Sequence, residues 1–159
     1  MPEQKNLHGT CLAVGTRGIL LLGPPGSGKS DLALRMIDQP GRGSGGDLVT
    51  TRLVADDRVM VRRSGTRLLA SAPPALNGLL EVRGVGLVPT PSLQEIVLKL
   101  AFRLVPGGRP ERMPGPDIER MELLGLSLPV LEIDPFQASA PAKVRSAAAL
   151  SQALFSKDG

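Results

Sequence analysis

The sequence predicts an α/β fold in which a phosphate-binding loop joins a buried strand to an amphipathic helix. Three observations carry that expectation. Gly23-Pro24-Pro25-Gly26-Ser27-Gly28-Lys29-Ser30 fits G-x-x-x-x-G-K-[ST] at every fixed position. Gly18-Ile19-Leu20-Leu21-Leu22, just before it, is an apolar run bounded by glycine, as a buried strand requires. Leu32, Ala33, Met36 and Ile37, just after it, recur at helical spacing until Pro40-Gly41 stops the pattern. Such a loop holds phosphate by geometry. Its glycines allow backbone angles that a Cβ would forbid, so successive N–H groups curl around phosphate oxygens while the helix adds its positive end. In this pattern Lys29 reaches the β- and γ-phosphates and the Ser30 hydroxyl is a ligand for Mg²⁺.

Composition bounds the rest. A chain of 159 residues with 42% hydrophobic residues can bury one proper core, so a single domain over 1–159 is expected. Only 2% are aromatic, with no Trp or Tyr, so aliphatic side chains and Ala must fill that core. There is no run of about 18 apolar residues, which argues against a membrane span. Met1-Pro2-Glu3-Gln4-Lys5 lacks the apolar stretch of a secretory signal, and a cytoplasmic protein is expected. Cys11 is the single cysteine, which excludes an internal disulfide; beside Leu12 and Val14 it reads as core filler. The net charge of +4 and the pI near 9.8 raise the question of nucleic acid. Only Arg58, Arg62, Arg63 and Arg67 gather locally, with no aromatic side chain beside them to stack bases. A phosphate-rich ligand or an acidic protein partner accounts for the charge as well, so nucleic acid is not the expected partner.

His8-Gly9-Thr10-Cys11-Leu12-Ala13-Val14 reads as a first strand, paired antiparallel through a short turn with the strand that feeds the loop. His8 is the only histidine. A lone His near a strand start is ordinarily a surface or capping residue, and it becomes functional only if it folds back beside the phosphates. Residues 40–47 form a loop by composition. Residues 48–55 then read as a strand that ends in Asp56-Asp57. An apolar strand running into acidic residues downstream of a P-loop brings a carboxylate to Mg²⁺. Adjacent side chains on extended backbone point apart, so the second carboxylate can instead take a proton from an attacking hydroxyl. The alternative is a solvated turn.

Residues 58–63 and 66–70, around Ser64-Gly65, look like a hairpin, broken by Ala72-Pro73-Pro74-Ala75. If the stretch 79–87 is extended, Glu81 and Arg83 share one face, which suits either a surface ion pair or a site. Residues 96–104 read as a strand, although the periodicity also permits a helix. Residues 105–110 and 113–116 are loops, and 118–124 read as a short helix ended near Gly125. Residues 142–155, with Val144, Ala147, Ala148 and Leu154 in helical array, read as a terminal helix started by Ser139 or Pro141.

Several of these stretches together resemble the catalytic domain of HPr kinase/phosphorylase, a bacterial protein-serine kinase. His8-Gly9 sits one hairpin before the P-loop. Leu53-Val54-Ala55-Asp56-Asp57 is similar to the family's L-V-A-D-D, and Leu80-Glu81-Val82-Arg83-Gly84-Val85-Gly86 to its L-E-[IV]-R-G-x-G. The matches cover roughly the first 90 residues in order, and the position of His8 implies a short form without the family's N-terminal regulatory domain. The resemblance implies a P-loop core of the HPr kinase/PEP-carboxykinase-like type, a mixed sheet with flanking helices. It implies ATP and Mg²⁺ as cofactors, a serine of the phosphocarrier protein HPr as substrate, and a ring-like homo-oligomer, a hexamer. It further implies that Asp56 is the acid/base facing the serine while Ser30 and Asp57 hold the metal, the division of labour within the aspartate pair staying open. Glu81 would complete the metal or substrate shell, Arg83 would meet a phosphoryl oxygen, and His8 would sit near the γ-phosphate.

Residues 128–133 resemble the family's late strand. Where the family then carries P-V-R-P-G-R-N, this chain has Asp134-Pro135-Phe136-Gln137-Ala138-Ser139-Ala140, with no arginine. Kinase activity with weak or absent phosphorylase activity is therefore expected. In the family a helix in the 142–155 region contacts HPr and a neighbouring subunit. Two rivals share the same residues: another P-loop phosphotransferase acting on a small hydroxyl compound, and a non-catalytic nucleotide sensor.

Overall fold

The computed structural model describes residues 3–113 and 115–155, the side chains of 152–155 excepted. The packing expected of Leu154, and Pro114 in its loop, fall outside the described residues. The chain forms one large mixed sheet with two helices on one face.

Strand β1 (Gln4–His8) breaks at Gly9 from β2 (Thr10–Val14), which corrects the single strand expected from His8 to Val14. The break has a steric cause. A Cβ at Gly9 would lie 2.8 Å from the Leu21 carbonyl oxygen, so only glycine lets the chain cross there. β2 then forms the expected antiparallel hairpin with β3 (Arg17–Leu22), Cys11 opposite Leu20. The P-loop follows, then α1 (Lys29–Asp38). The next strand, β4 (Thr51–Ala55), is shorter than the 48–55 expected, because Val49 only bridges Gly41 across the intervening loop.

β5 (Arg58–Ser64) and β6 (Arg67–Ser71) are the expected hairpin, and β1 pairs along β5 with His8 opposite Arg58. β7 (Leu79–Val82) and β8 (Gly86–Pro89) form a separate two-stranded ribbon. Leu80 is fully buried with the side chains of α1 and anchors this ribbon beside the helix. Arg83 lies in the ribbon's turn, not on the strand beside Glu81.

β9 (Glu95–Leu104) settles the ambiguity over 96–104 in favour of a strand. Its exposed residues Glu95, Lys99 and Arg103 fall every fourth position, which suits either period. Pairing decides: β9 runs parallel to β3, antiparallel to β6, and parallel to a later strand, β11 (Leu126–Ile133). Opposite Gly18-Ile19 it carries Leu98 and Leu100 with Lys99 between them, a bulge that swaps the faces of the strand. Leu98 and Ala101 accordingly share one core while Leu100, Phe102 and Leu104 share the other.

The helix expected over 118–124 is strand β10 (Glu119–Leu123), paired antiparallel with β11. Leu124 (φ 51°) and Gly125 (φ 83°) both take the left-handed conformation between the paired Leu123 and Leu126. That is the two-residue turn whose twist matches a hairpin. A leucine in its first position hides the usual Asn-Gly or Gly-Gly signal. The terminal helix α2 (Ala140–Phe155) starts within the expected range.

The central strands are buried on both faces, so they read as continuous apolar runs. Leu12, Ile19, Leu21 and Leu53 pack against Leu32, Ala33 and Met36 of α1 and Ala140, Val144 and Ala148 of α2. On the opposite face Cys11, Leu20, Val54 and Ala101 pack against Val59, Val61, Leu68 and Leu123. Burial pushes the Cys11 thiol well above its ordinary pKa, in keeping with core filler. From α2, Arg145 donates to the carbonyls of Met36 and Gln39 and so satisfies the C-terminal end of α1. Leu21 is fully buried in the helix-side core, one residue from the end of the strand that aims the P-loop. Leu21→Ala is expected to cost about 2–5 kcal/mol of unfolding free energy, read from urea denaturation. A loss under about 0.5 kcal/mol, the range of surface changes, would contradict that packing.

Candidate active site

β3 delivers the chain into Gly23–Gly28, and α1 begins at Lys29. Gly26 (φ 84°) and Gly28 (φ 101°) take the left-handed conformation that a P-loop needs. Ser27 folds inward, donating its N–H to the Pro24 carbonyl at 3.1 Å, and its side chain is buried. Lys29 is also buried, and its Nζ donates to the carbonyls of Gly23 (2.5 Å) and Pro24 (3.0 Å). Burial pushes the ammonium below its ordinary pKa, while the Asp57 and Asp56 carboxylates act in the opposite sense. A compact cation is thereby held at the mouth of the loop, facing an acidic pair.

The two aspartates are separated by their backbone. Asp56 is buried and its carboxylate accepts three hydrogen bonds: Thr10 Oγ1 and Ser30 Oγ donate to Oδ1, both at 3.1 Å, and the Glu81 N–H donates to Oδ2 at 3.0 Å. Asp57 has φ 67°, an uncommon conformation for a residue with a side chain, which turns it away from its neighbour. Its carbonyl accepts from Gly9 N–H at 3.0 Å and lies 3.0 Å from His8 Nδ1, and its Oδ1 lies 3.4 Å from the same nitrogen. With 62% of its side chain exposed, Asp57 opens onto the cleft. The turn at Gly9 therefore serves the site as well as the sheet, because it ties His8 and Asp57 together.

The cleft, of about 720 Å³, brings together nearly all the residues expected to act. Pro25, Gly26, Gly28, Lys29 and Ser30 line one wall, with Asp56, Asp57 and His8 across from them and Glu81 and Arg83 on the β7–β8 ribbon at the side. Gly23, Pro24 and Ser27 of the loop are not part of this lining. Among the described residues no group of three His, Cys, Asp or Glu side chains could cage a metal. The Ser30 hydroxyl and the Asp56 carboxylate are nonetheless a pair of hard oxygens on one side of the loop. That fits Mg²⁺, which takes few protein ligands and shares its shell with phosphate and water.

Several lining residues, Thr10, Phe136 and Asp31 and Leu34 of α1 among them, escaped the reading of the sequence as part of the site. Thr10 is fully buried and orients Asp56; a polar residue opening an otherwise apolar strand was its only signal. Phe136 lines the cleft, from a loop notable in the sequence chiefly for what it lacks.

Comparison with known proteins agrees with this geometry. A family model described as the HPr Serine kinase C-terminal domain matches residues 1–94. The HPr kinase/phosphorylase of Clostridium tetani is 42% identical over 92 residues, which span 58% of this chain and 27% of that protein. That of Cupriavidus metallidurans is 36% identical over 137 residues, 80% of this chain and 39% of the relative. The chain thus spans less than half the length of these curated relatives. A solved structure, that of the Hpr(Ser) kinase/phosphatase from Coxiella burnetii, matches with a TM-score of 0.70 at 25% identity, covering 89% of this chain and 92% of that one. A P-loop, an aspartate pair and a Glu-Val-Arg-Gly ribbon meeting in one cleft, together with a family match over more than half its length, place this chain in the HPr serine kinase C-terminal domain family.

Proposed function

We propose that the protein transfers the γ-phosphoryl group of ATP to a serine hydroxyl of HPr, with Mg²⁺ as the metal. The observation that carries this reading is the division within the aspartate pair. Asp56 is fixed against Ser30, while Asp57 is turned out beside His8 into an open cleft. Phosphoryl transfer asks for positioned phosphates, neutralised charge and a base near the attacking hydroxyl. ATP with its metal supplies the transferable group and neutralises its charge.

The loop amides and Lys29 bind the phosphates, and Ser30 with Asp56 holds the metal side. Asp57 takes the proton from the seryl Oγ as the new O–P bond forms and the bond to the β-phosphate breaks. His8, in contact with Asp57, orients that carboxylate and can pass the proton on. These roles reverse the assignment that the resemblance alone implied for Asp56 and Asp57. The reason is geometric: both oxygens of the buried Asp56 carboxylate already accept hydrogen bonds, from Thr10, Ser30 and the Glu81 N–H, whereas the Asp57 side chain opens onto the cleft where a hydroxyl would arrive. Glu81 extends the metal side, and Arg83 in the ribbon's turn reaches a phosphoryl oxygen. A protein substrate suits the rim of the cleft, where Val85 (74% exposed) and Leu87 (63% exposed) present apolar surface for docking.

The test is incubation of the purified chain with γ-labelled ATP, Mg²⁺ and HPr, followed by phosphoamino-acid analysis. Label on an HPr serine is expected. Label passing only to a small hydroxyl compound would favour another phosphotransferase, and nucleotide binding without any transfer would favour a sensor. The same preparation given seryl-phosphorylated HPr and inorganic phosphate is expected to release phosphate slowly or not at all, because residues 134–140 offer no cationic cradle for it. Rapid phosphorolysis would contradict that expectation. A ring-like hexamer and a cytoplasmic location belong to the same reading; among the described residues no helix is long and apolar enough to cross a membrane.

A further inference from the structure

The chain has three phenylalanines and no Trp or Tyr. Phe102 is buried in the core, whereas Phe136 stands in the cleft with 57% of its surface exposed, the one exposed phenyl ring among the described side chains. The ring has a definite place. A Cβ on Gly28 would meet Phe136 Cζ at 3.0 Å and Cε1 at 3.2 Å, and Pro135 Cγ at 3.1 Å, so Pro135-Phe136 lies directly against the last residue of the P-loop. The segment is tied down on both sides. The Phe136 N–H donates to Asp134 Oδ1 at 3.1 Å, and Arg35 of α1 donates to the Pro135 carbonyl while pairing with Asp31 at 3.0 Å. An apolar ring held out in water by a pinned loop, inside the main cleft, calls for a ligand surface that is itself flat and apolar.

We propose that Phe136 is the platform on which the base of the bound nucleotide stacks, with Asp31 and Leu34 of α1 forming the neighbouring wall of that subsite. The proposal rests on the nucleotide-binding reading above and specifies where the other end of the nucleotide lies. The P-loop lysine engages the terminal phosphates, and the amides opening α1 follow them along the chain of phosphates. Ribose and base therefore leave the loop on the side of the first turn of α1, where Asp31, Leu34 and Phe136 line the cleft. Stacking on a ring is tolerant of base identity because every base has a π-face.

The test compares Mg·ADP with Mg·tripolyphosphate, which has the phosphates and no base, by calorimetric titration of the full chain. Phe136→Ala is expected to weaken ADP binding about tenfold and to leave tripolyphosphate binding within about twofold, while Phe136→Tyr, which keeps the ring, stays within about threefold of wild type for both. Equal weakening of both probes would show that the ring merely props Gly28 and would overturn the platform. Unchanged ADP affinity in Phe136→Ala would overturn it as well. A wild-type chain that binds tripolyphosphate as tightly as ADP sinks the base subsite alone and leaves the phosphate site standing. A chain that binds neither sinks both.

Discussion

Asp57→Asn is expected to lower phosphoryl transfer to a seryl hydroxyl by about 10²–10⁴-fold, the usual contribution of a positioned general base. Mg·ADP affinity should stay within about twofold, because this carboxylate faces the open cleft and makes no hydrogen bond to Ser30. Asparagine keeps the size and the contact with His8 but cannot accept the proton. The neighbouring change separates the two roles. Asp56→Asn removes the charge, and its amide nitrogen takes the Oδ1 position, with the Thr10 and Ser30 hydroxyls turned to accept and the remaining oxygen still accepting from the Glu81 N–H, so no carboxylate oxygen is left beside Ser30 for a metal. It is expected to weaken nucleotide affinity in the presence of Mg²⁺ as well as the rate. The measurement is single-turnover transfer beside calorimetric binding for both variants. If Asp57→Asn lost metal-dependent binding and Asp56→Asn lost only rate, the two assignments would have to be exchanged.

Lys29→Ala should reduce kcat/KM by about 10³-fold, comparable with removal of a preorganised donor aimed at developing charge. The ammonium lies buried where the loop carbonyls of Gly23 and Pro24 converge, and both aspartates oppose the effect of burial on it. Removing it leaves those carbonyls without their cation and takes away the ammonium that a P-loop aims at the terminal phosphates. Lys29→Arg is not expected to restore the rate. A planar fork does not fit where a compact ammonium donates to two carbonyls of one tight loop, even though the charge is kept. Steady-state kinetics with HPr as acceptor checks both variants, and an Arg variant with near wild-type kcat/KM would argue that the site needs only a charge.

Both outcomes turn on contacts that differ greatly in how visible they were in the sequence. The P-loop was legible because its chemistry is local: glycines, lysine and serine lie within eight residues, and the flanking strand and helix announce themselves by period. Asp56-Asp57 was legible as a pair at a strand end whose side chains point apart and can take different roles, but not which of them is locked and which is open. What separates them is a left-handed φ at Asp57 and hydrogen bonds arriving from residues 10, 30 and 81, positions that no spacing rule connects. β10 reads as a helix in the sequence, while β11 reads as a strand, because Leu124 occupies a turn position that ordinarily advertises itself with asparagine or glycine.

The region around residue 136 was informative in the sequence only as a departure from a family pattern, and packing against Gly28 is what puts its ring in the cleft. His8 shows the same limit. As a lone histidine near a strand start it had a role only if the chain folded back beside the phosphates, and the crossing at Gly9 places it 3.0 Å from the Asp57 carbonyl.

By itself, then, the sequence determined the elements whose causes lie within one or two turns of chain: the loop that grips phosphate, the buried strand and helix around it, and an acidic pair one strand away. Tertiary structure alone decided which aspartate is locked and which is open, where the histidine falls, and what stands at the far end of the cleft. Those depend on backbone angles and on contacts across 25 to 108 positions of sequence, which only the closing of the sheet and the docking of its loops bring within hydrogen-bonding or van der Waals reach.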